Sequence, residues 1–319
     1  MNFLDETNIL VKKESTTDPN LGHDPFNSPI DFLIKYGMVN INKPQGPTSH
    51  QISDYVKQIL NVKKAGHGGT LDPNVTGVLP IALENATRII QIFLKERKEY
   101  VALMHLHKEV SNEEIKKIFE EFTGTIKQLP PIRSAVKRQE RFRRIYSIDI
   151  LEIEEKDVLF RMECEAGTYV RKYIHDFGLK LNTGAHMQQL VRIKTGPFND
   201  KNWYSLHDLK DAYEEFKEGN ELPLRKIIVP VEFAIINVKK VWVHDSAIDH
   251  LCHGSPLYSP GISKLSDNIQ KNELVAILTL KNELIALGLS SMDSDLMLKS
   301  QRDIAIKLEK VFMPIGTYK

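Results

Sequence analysis

Between Gly66 and Pro80 the chain reads GHGGTLDPNVTGVLP, and no other run constrains its folding so closely. Gly66, Gly68 and Gly69 let the backbone turn where a side chain would clash, and Pro73 drives Asp72 away from helix. The expected product is a rigid loop that offers one carboxylate, Asp72, with no second acid nearby. Something must be able to approach that carboxylate very closely. A glycine-proline stretch is on its own more often a plain turn than a site. The weight of the reading therefore rests on what surrounds it.

A chain of 319 residues exceeds one typical domain, so one large and one small domain are expected. Hydrophobic residues at 41% and charged residues at 27% fit a soluble globular protein. No segment is apolar enough to span a bilayer. The start, Met1 to Glu6, carries acids early and lacks an apolar core, which argues against a signal peptide. Cys164 and Cys252 lie far apart in unlike contexts, so neither a disulfide framework nor a zinc site is expected, and a reducing cytoplasm is the default compartment. The net charge of +1 names no polyanionic partner, but the basic residues are unevenly placed.

Residues 1–36 read as a polar arm, held to the body by Phe26, Phe32 and Leu33. From Gly37, Met38 to Lys43 alternates like a strand until Pro44-Gln45-Gly46-Pro47 breaks it. Thr48 or Ser49 then caps a helix whose inward positions are Ile52, Tyr55, Val56, Ile59 and Leu60. Val78 to Leu83 reads as a buried strand, and Ala86 to Phe93 as a second helix. Tyr100 opens another strand. Ser111 to Glu114 forms a capping box for a helix with Ile115, Ile118, Phe119 and Phe122 inward and Gly124 as its stop. Residues 145–152 and 158–164 alternate and should pair, which makes Cys164 a small core residue rather than a nucleophile. A helix follows Thr168, and another is capped by Ser205 with Asp208. From residue 239 short strands and glycine turns dominate, as in a small β-barrel.

Three further clusters could carry chemistry. Between 133 and 144 stand six basic residues against one acid: Arg133, Lys137, Arg138, Arg141, Arg143 and Arg144 against Glu140, with Phe142 interleaved. That density suits a phosphate backbone, and a solvated charged loop is an equal alternative. In Gly167-Thr168-Tyr169-Val170-Arg171-Lys172, a glycine turn places Arg171 near a helix N-terminus, where it can clamp a phosphate or a carboxylate at two points. In Gly184 to Gly196, His186 reads as a helical surface or core histidine, since no ligand partners stand at metal spacing. His50, His105 and His107 form no ligand set either. Tyr100 by itself is most simply a core tyrosine with a satisfied hydroxyl.

Taken in order, Lys43 to Ser49, Gly66 to Pro80, Lys98-Glu99-Tyr100, Pro130 to Lys137, Gly167 to Arg171 and Gly184 to Gly196 resemble the motifs of the TruB-type pseudouridine synthases. Residues 239–319 resemble a PUA domain, a small RNA-binding β-barrel. Only 29 residues separate Tyr100 from Pro130, where stand-alone bacterial enzymes carry a longer insert. The form is similar to the archaeal dyskerin-type catalytic subunit of box H/ACA ribonucleoproteins. The resemblance implies an α+β protein: a pseudouridine synthase fold over 37–238, with a mixed, largely antiparallel central sheet and flanking helices, then the PUA barrel over 239–319. The arm, 1–36, would pack on that barrel.

The implied activity is the isomerisation of uridine to pseudouridine in rRNA, directed by a box H/ACA guide RNA, with the T-loop uridine of tRNA as a guide-free substrate. A lone carboxylate suits this chemistry and not glycoside hydrolysis, which generally uses a pair. By resemblance Asp72 is the catalytic aspartate and Arg171 holds it ionised. Tyr100 would stack on the target base, Leu190 would pack beneath the site, His67 would fill the gap left by base flipping, and Lys43 would support the loop. RNA contacts would come from Arg133, Lys137, Arg138, Arg141, Arg143, Arg144, Lys172, Arg192 and Lys194, and in the barrel from Gly254, Tyr258, Gly261 and Lys264. No metal or organic cofactor is implied. Expected protein partners are a small zinc-ribbon-type Nop subunit, a Gar-type subunit and a kink-turn-binding ribosomal-type protein. Two positions depart from the family: Val191 stands where a second arginine is common, and Gln301-Arg302-Asp303 replaces a glycine turn. The alternative from another class is a non-catalytic RNA-binding scaffold of an H/ACA-like particle.

Overall fold

A computed structural model describes residues 8–130 and 139–319. Chain packing divides it into two compact units: one of residues 39–81 and 90–227, and one that gathers the chain up to 38 with 82–89 and 228–319.

The first unit is built on a mixed sheet. Its strands run in the spatial order Gly37–Lys43, Thr76–Leu83, Ala185–Thr195, Lys98–Leu106, Asp157–Cys164, Arg141–Glu154 and Gly124–Gln128. From Ala185–Thr195 to Gly124–Gln128 each neighbouring pair is antiparallel. Thr76–Leu83 and Ala185–Thr195 are parallel, joined by Thr76 to Val191 and Gly77 to Arg192. Long antiparallel strands arise here because the sequence alternates: along Asp157–Cys164, Val158, Phe160, Met162 and Cys164 all face inward and are buried. Against that face lie the helices Asn112–Glu121 and Val170–Lys180, which contribute Ile115, Phe119, Tyr173 and Phe177 to one core. Phe119 and Phe177 pack with ring centroids 4.5 Å apart. Burying each such side chain stabilises the fold by roughly 1.5–3 kcal/mol.

The second unit carries a seven-stranded sheet in the order Ile9–Val11, Ile262–Ser266, Lys239–Val243, Leu274–Leu278, Leu284–Ser290, Ile304–Val311 and Leu257–Tyr258. Val241, Val243, Leu265, Val275, Ile277, Ile285 and Ile306 fill its interior. The arm joins this sheet directly, pairing Leu10 with Leu265 and Val11 with Lys264. Further on, Lys281 Nζ donates to the carbonyls of Pro19 (3.1 Å) and Leu21, and the His23 amide donates to Glu283 at 3.1 Å. Gly22 has φ +65°, and a Cβ there would lie 2.3 Å from both Glu283 Oε2 and Tyr318 Oη. Only glycine lets the arm pass so close.

Several sequence expectations need correction. The segment Gly184 to Gly196 is a strand, Ala185–Thr195, so His186 is an exposed strand residue and not a helical one. Its alternation was hidden by bulges that shift register between Glu99 and Tyr100 and between Leu103 and Met104. The expected helix from Ala86 to Phe93 is a 3-10 turn, Glu84–Ile89, and a single α turn, Ile90–Phe93. Gly124 does not stop the preceding helix, which ends at Glu121; with φ +95° it opens the next strand instead. At the end of the Ser294–Lys299 helix, Gln301-Arg302-Asp303 makes the turn without glycine, because Ser300 Oγ donates to Asp303 at 2.7 Å.

Candidate functional site

The loop around Asp72 is fixed from both sides. Thr48 caps the helix Ser49–Ile59: its hydroxyl accepts from the Gln51 amide, and Gln51 Oε1 accepts from the Thr48 amide at 2.8 Å. Ser49 is thereby released from capping. It is buried, its Oγ donates to the Leu71 carbonyl at 3.1 Å, and it accepts from the Leu71 amide at 2.8 Å. Beyond Asp72, the Val75 amide donates back to the Asp72 carbonyl at 3.0 Å. The fully buried Lys43 ammonium donates to the carbonyls of Pro44, Pro73 and Val75 at 2.9, 3.0 and 2.9 Å. Burial lowers the Lys43 pKa, while the negative charge of Asp72 acts to raise it.

From this frame the carboxylate projects outward. Asp72 Oδ2 accepts from Arg171 Nη2 at 2.6 Å, with side chains 57% and 59% exposed respectively, so the pair faces solvent and remains open to a ligand. Arg171 is the second residue of the helix Val170–Lys180, as the glycine turn predicts. The two residues are brought together from positions 99 apart in the chain.

Tyr100 lies within reach of the Asp72 charge. Burial pushes its hydroxyl up to about 12, partly opposed by the Arg192 guanidinium, with which it shares a hydrogen bond. The phenol is thus protonated at any physiological pH and can donate. Leu190 is buried in the core cluster on which Tyr100 packs. His67 stands at the loop's start, its Nε2 3.3 Å from His50 Nδ1. Burial, and then the neighbouring His50 and Arg192, lower its pKa, which favours the neutral ring.

Arg192 corrects the sequence reading. It was expected among the RNA contacts, yet it is 1% exposed. Its Nε donates to the Val78 carbonyl at 2.8 Å and Nη2 to the Gly69 carbonyl at 3.1 Å. The side chain is spent on tying the glycine loop at Gly69 to the strand at Val78 and, at 1% exposure, does not reach a phosphate. Its backbone is met by Gly77, at φ +108°, where a Cβ would fall 2.2 Å from the Arg192 carbonyl oxygen. A bulge explains the miss: the register shift between Lys194, opposite Glu99, and Arg192, opposite Tyr100, breaks the alternation, so Arg192 is buried with Leu190 while Lys194 is exposed.

The other proposed RNA contacts divide. Arg133, Lys137 and Arg138 lie outside the described residues. Arg144 is exposed and Phe142 is 67% exposed on the same face of the strand Arg141–Glu154. Arg141 and Arg143 occupy the other face, and Arg143 pairs with Glu165 at 3.5 Å. Lys172 is paired with Asp176. In the second unit Gly254 is exposed and Tyr258 largely so, Gly261 is half-buried, and Lys264 Nζ lies 4.7 Å over the Trp242 ring. His105, His107 and His186 do come together, with His107 Nε2 3.1 Å from His186 Nδ1. Among the described residues no group of three or more such side chains could hold a metal ion. Sequence reasoning missed Ser49 and the inward role of Arg192. The doubled hydroxyl Thr48-Ser49, of which only one can cap, was the available signal for the first.

Comparison with known proteins covers nearly all of the chain. Residues 57–170 match the TruB family pseudouridylate synthase N-terminal domain, 171–236 the tRNA pseudouridylate synthase B C-terminal domain, 239–312 the PUA domain and 1–53 the DKCLD (NUC011) domain. A probable tRNA pseudouridine synthase B of Nanoarchaeum equitans is 53% identical over 99% of this chain and 90% of its own length. One from Pyrococcus furiosus is 51% identical over 97% of this chain and 92% of its own. Among solved structures, a Cbf5-Nop10-Gar1 complex contains a chain that superposes with TM-score 0.94 at 51% identity, covering 98% of this chain and 97% of that one. An H/ACA RNP bound to a substrate RNA containing 2'-deoxyuridine gives TM-score 0.92 at 49% identity, covering 98% and 96%.

Proposed function

The chain belongs to the TruB family of pseudouridine synthases, and on that premise we propose that it isomerises uridine to pseudouridine in RNA with Asp72 as the acting carboxylate. The observation that carries this reading is the 2.6 Å ion pair between Asp72 and Arg171, set at the surface on a loop anchored from both sides.

The reaction breaks the bond between N1 and the ribose C1', turns the uracil, and joins C5 to C1'; the proton on C5 then leaves to solvent while N1 takes one up. An ionised carboxylate serves either by adding to the sugar or by removing a ribose proton. Arg171 pairs with it and orients it until the flipped nucleotide arrives. Tyr100 receives the base, Leu190 supports it from below, and a neutral His67 props the stack that the base has left. Lys43 keeps the loop in shape.

The proposed division of labour is a catalytic domain over 37–238, a PUA domain over 239–319 and an arm over 1–36. Exposed Arg144 and Lys194, with Arg141, Arg143 and Lys172 and the run from Arg133 to Arg138, would follow the RNA backbone. Tyr258, with Gly254, Gly261 and Lys264, would hold the ACA end of a guide. The solved relatives named for Nop10, Gar1 and H/ACA RNA support a box H/ACA guide and Nop-type and Gar-type subunits as partners here. A kink-turn-binding protein would join through the guide. No helix among the described residues is long and apolar enough to cross a membrane, and with two free cysteines a reducing, cytoplasmic setting suits the chain.

The test is product analysis. The assembled protein should form pseudouridine at the paired uridine of an rRNA target only when guide is present, and more slowly in a tRNA transcript without guide. Equal conversion of the rRNA target with and without guide would refute the guided reading.

A further inference from the structure

One buried hydroxyl occupies a place in the loop that neither helix capping nor the proposed chemistry requires. Ser49 is 1% exposed. The cap of its helix is already complete, because Thr48 and Gln51 satisfy each other. Its Oγ instead takes both backbone groups of Leu71, donating to the carbonyl and accepting from the amide. Leu71 immediately precedes Asp72, so this double bond sets the direction in which the chain enters the carboxylate-bearing residue. The Ser49 backbone is tied within its own helix: its carbonyl accepts from Ser53 Oγ at 3.2 Å one turn on, and Ser53 is also buried.

The far side of Asp72 is secured separately, through Pro73, whose carbonyl accepts from Lys43 Nζ and from the Gly46 amide at 2.9 Å. The Asp72 side chain is more than half exposed and pairs with Arg171. Its position is therefore inherited from its two neighbours. On the upstream side the Leu71 backbone is held by the Ser49 oxygen, beside the packing of the Leu71 side chain in the core.

We propose that Ser49 is a positioning residue for Asp72, acting through the Leu71 backbone. The inference rests on the reading of Asp72 as the catalytic carboxylate. Displacing a reacting group by about 1 Å can cost on the order of a hundredfold in rate. Loss of the Ser49 oxygen should therefore appear in the chemical step and not in RNA binding.

The experiment uses the assembled protein with guide RNA and a target carrying tritium at C5 of the uridine. Wild type, Ser49→Ala, Ser49→Thr, Ser49→Cys and Asp72→Asn are compared by single-turnover release of label, target affinity and thermal unfolding. Ser49→Ala should lower the single-turnover rate roughly 10- to 100-fold with target affinity within about twofold of wild type. Ser49→Thr, which keeps the oxygen, or Ser49→Cys, which keeps a weak donor, should recover much of the loss. The inference is overturned if Ser49→Ala turns over like wild type while Asp72→Asn is inactive. It is equally overturned if the rate per folded molecule is unchanged and only stability falls, or if neither Thr nor Cys restores the rate. Full turnover by Asp72→Asn would instead bring down the reading of the site on which the inference rests.

Discussion

Replacing Arg192 by methionine separates two roles that one arginine could play in an RNA enzyme. A backbone-contacting arginine would be exposed, and its loss would weaken RNA binding with little effect on folding. In the structure the guanidinium is buried and donates to the carbonyls of Val78 and Gly69. A hydrogen bond to a charged group contributes about 1.5–3 kcal/mol, and a carbonyl left unpaired in the interior costs a comparable amount. Two such bonds give roughly 3–6 kcal/mol. Methionine fills similar volume and relieves the cost of burying a charge, which offsets part of that loss. A net destabilisation of about 3 kcal/mol remains, equivalent to a fall in thermal midpoint of roughly 6–12 °C. The assays are thermal unfolding and guide-RNA affinity as a function of salt. Each lost phosphate contact lowers the slope of log K against log salt by about 0.7–0.9. Arg192→Met should leave that slope unchanged below its melting point, whereas Arg144→Ala or Lys194→Ala should reduce it without affecting the midpoint. An Arg192→Met protein that melts like wild type but binds RNA more weakly, with a reduced slope, would refute the reasoning.

Other outcomes follow from the same structure. Glu232 is buried, and its carboxyl is pushed up to about 7 mainly by desolvation. A raised carboxyl pKa means that the folded state binds the proton more tightly, so stability is full below about 4.5 and declines as pH rises toward 7; Glu232→Gln should flatten that decline in a pH series of unfolding midpoints, and an unchanged slope would count against it. Lys43→Met should lower turnover and thermal midpoint together, since three carbonyls lose one donor; a stable, fully active variant would contradict the anchoring role. Burial pushes the Cys164 thiol up to about 12, so it should resist a thiol reagent at pH 8 in the native protein and react after unfolding, and rapid native labelling at Cys164 would contradict its place in the core.

Much of this was legible in the sequence because the signals were local. The capping boxes at Ser111 and Ser205 are complete within four residues, and the structure shows both. The alternation that buries Val158, Phe160 and Cys164 likewise needs no distant partner. Asp72 and Arg171 each sat in a turn of unusual composition, so both could be singled out, although not their 2.6 Å approach. Features set by pairing between distant strands were hidden. Whether Arg192 points in or out depends on the parity of a strand interrupted by bulges, and a change of one position reverses the face. Ser49 was hidden for a different reason: its partner is a backbone 22 positions away, which leaves no side-chain pattern to read.

The central claim is that one carboxylate performs the isomerisation. Single-turnover release of tritium from a target labelled at C5 of the uridine, with guide RNA present, tests it most directly. Wild type should release the label and leave pseudouridine in its place. Asp72→Asn, which keeps the shape of the side chain and removes its charge, should bind the target normally and release none. Release by Asp72→Asn at the wild-type rate would contradict the account.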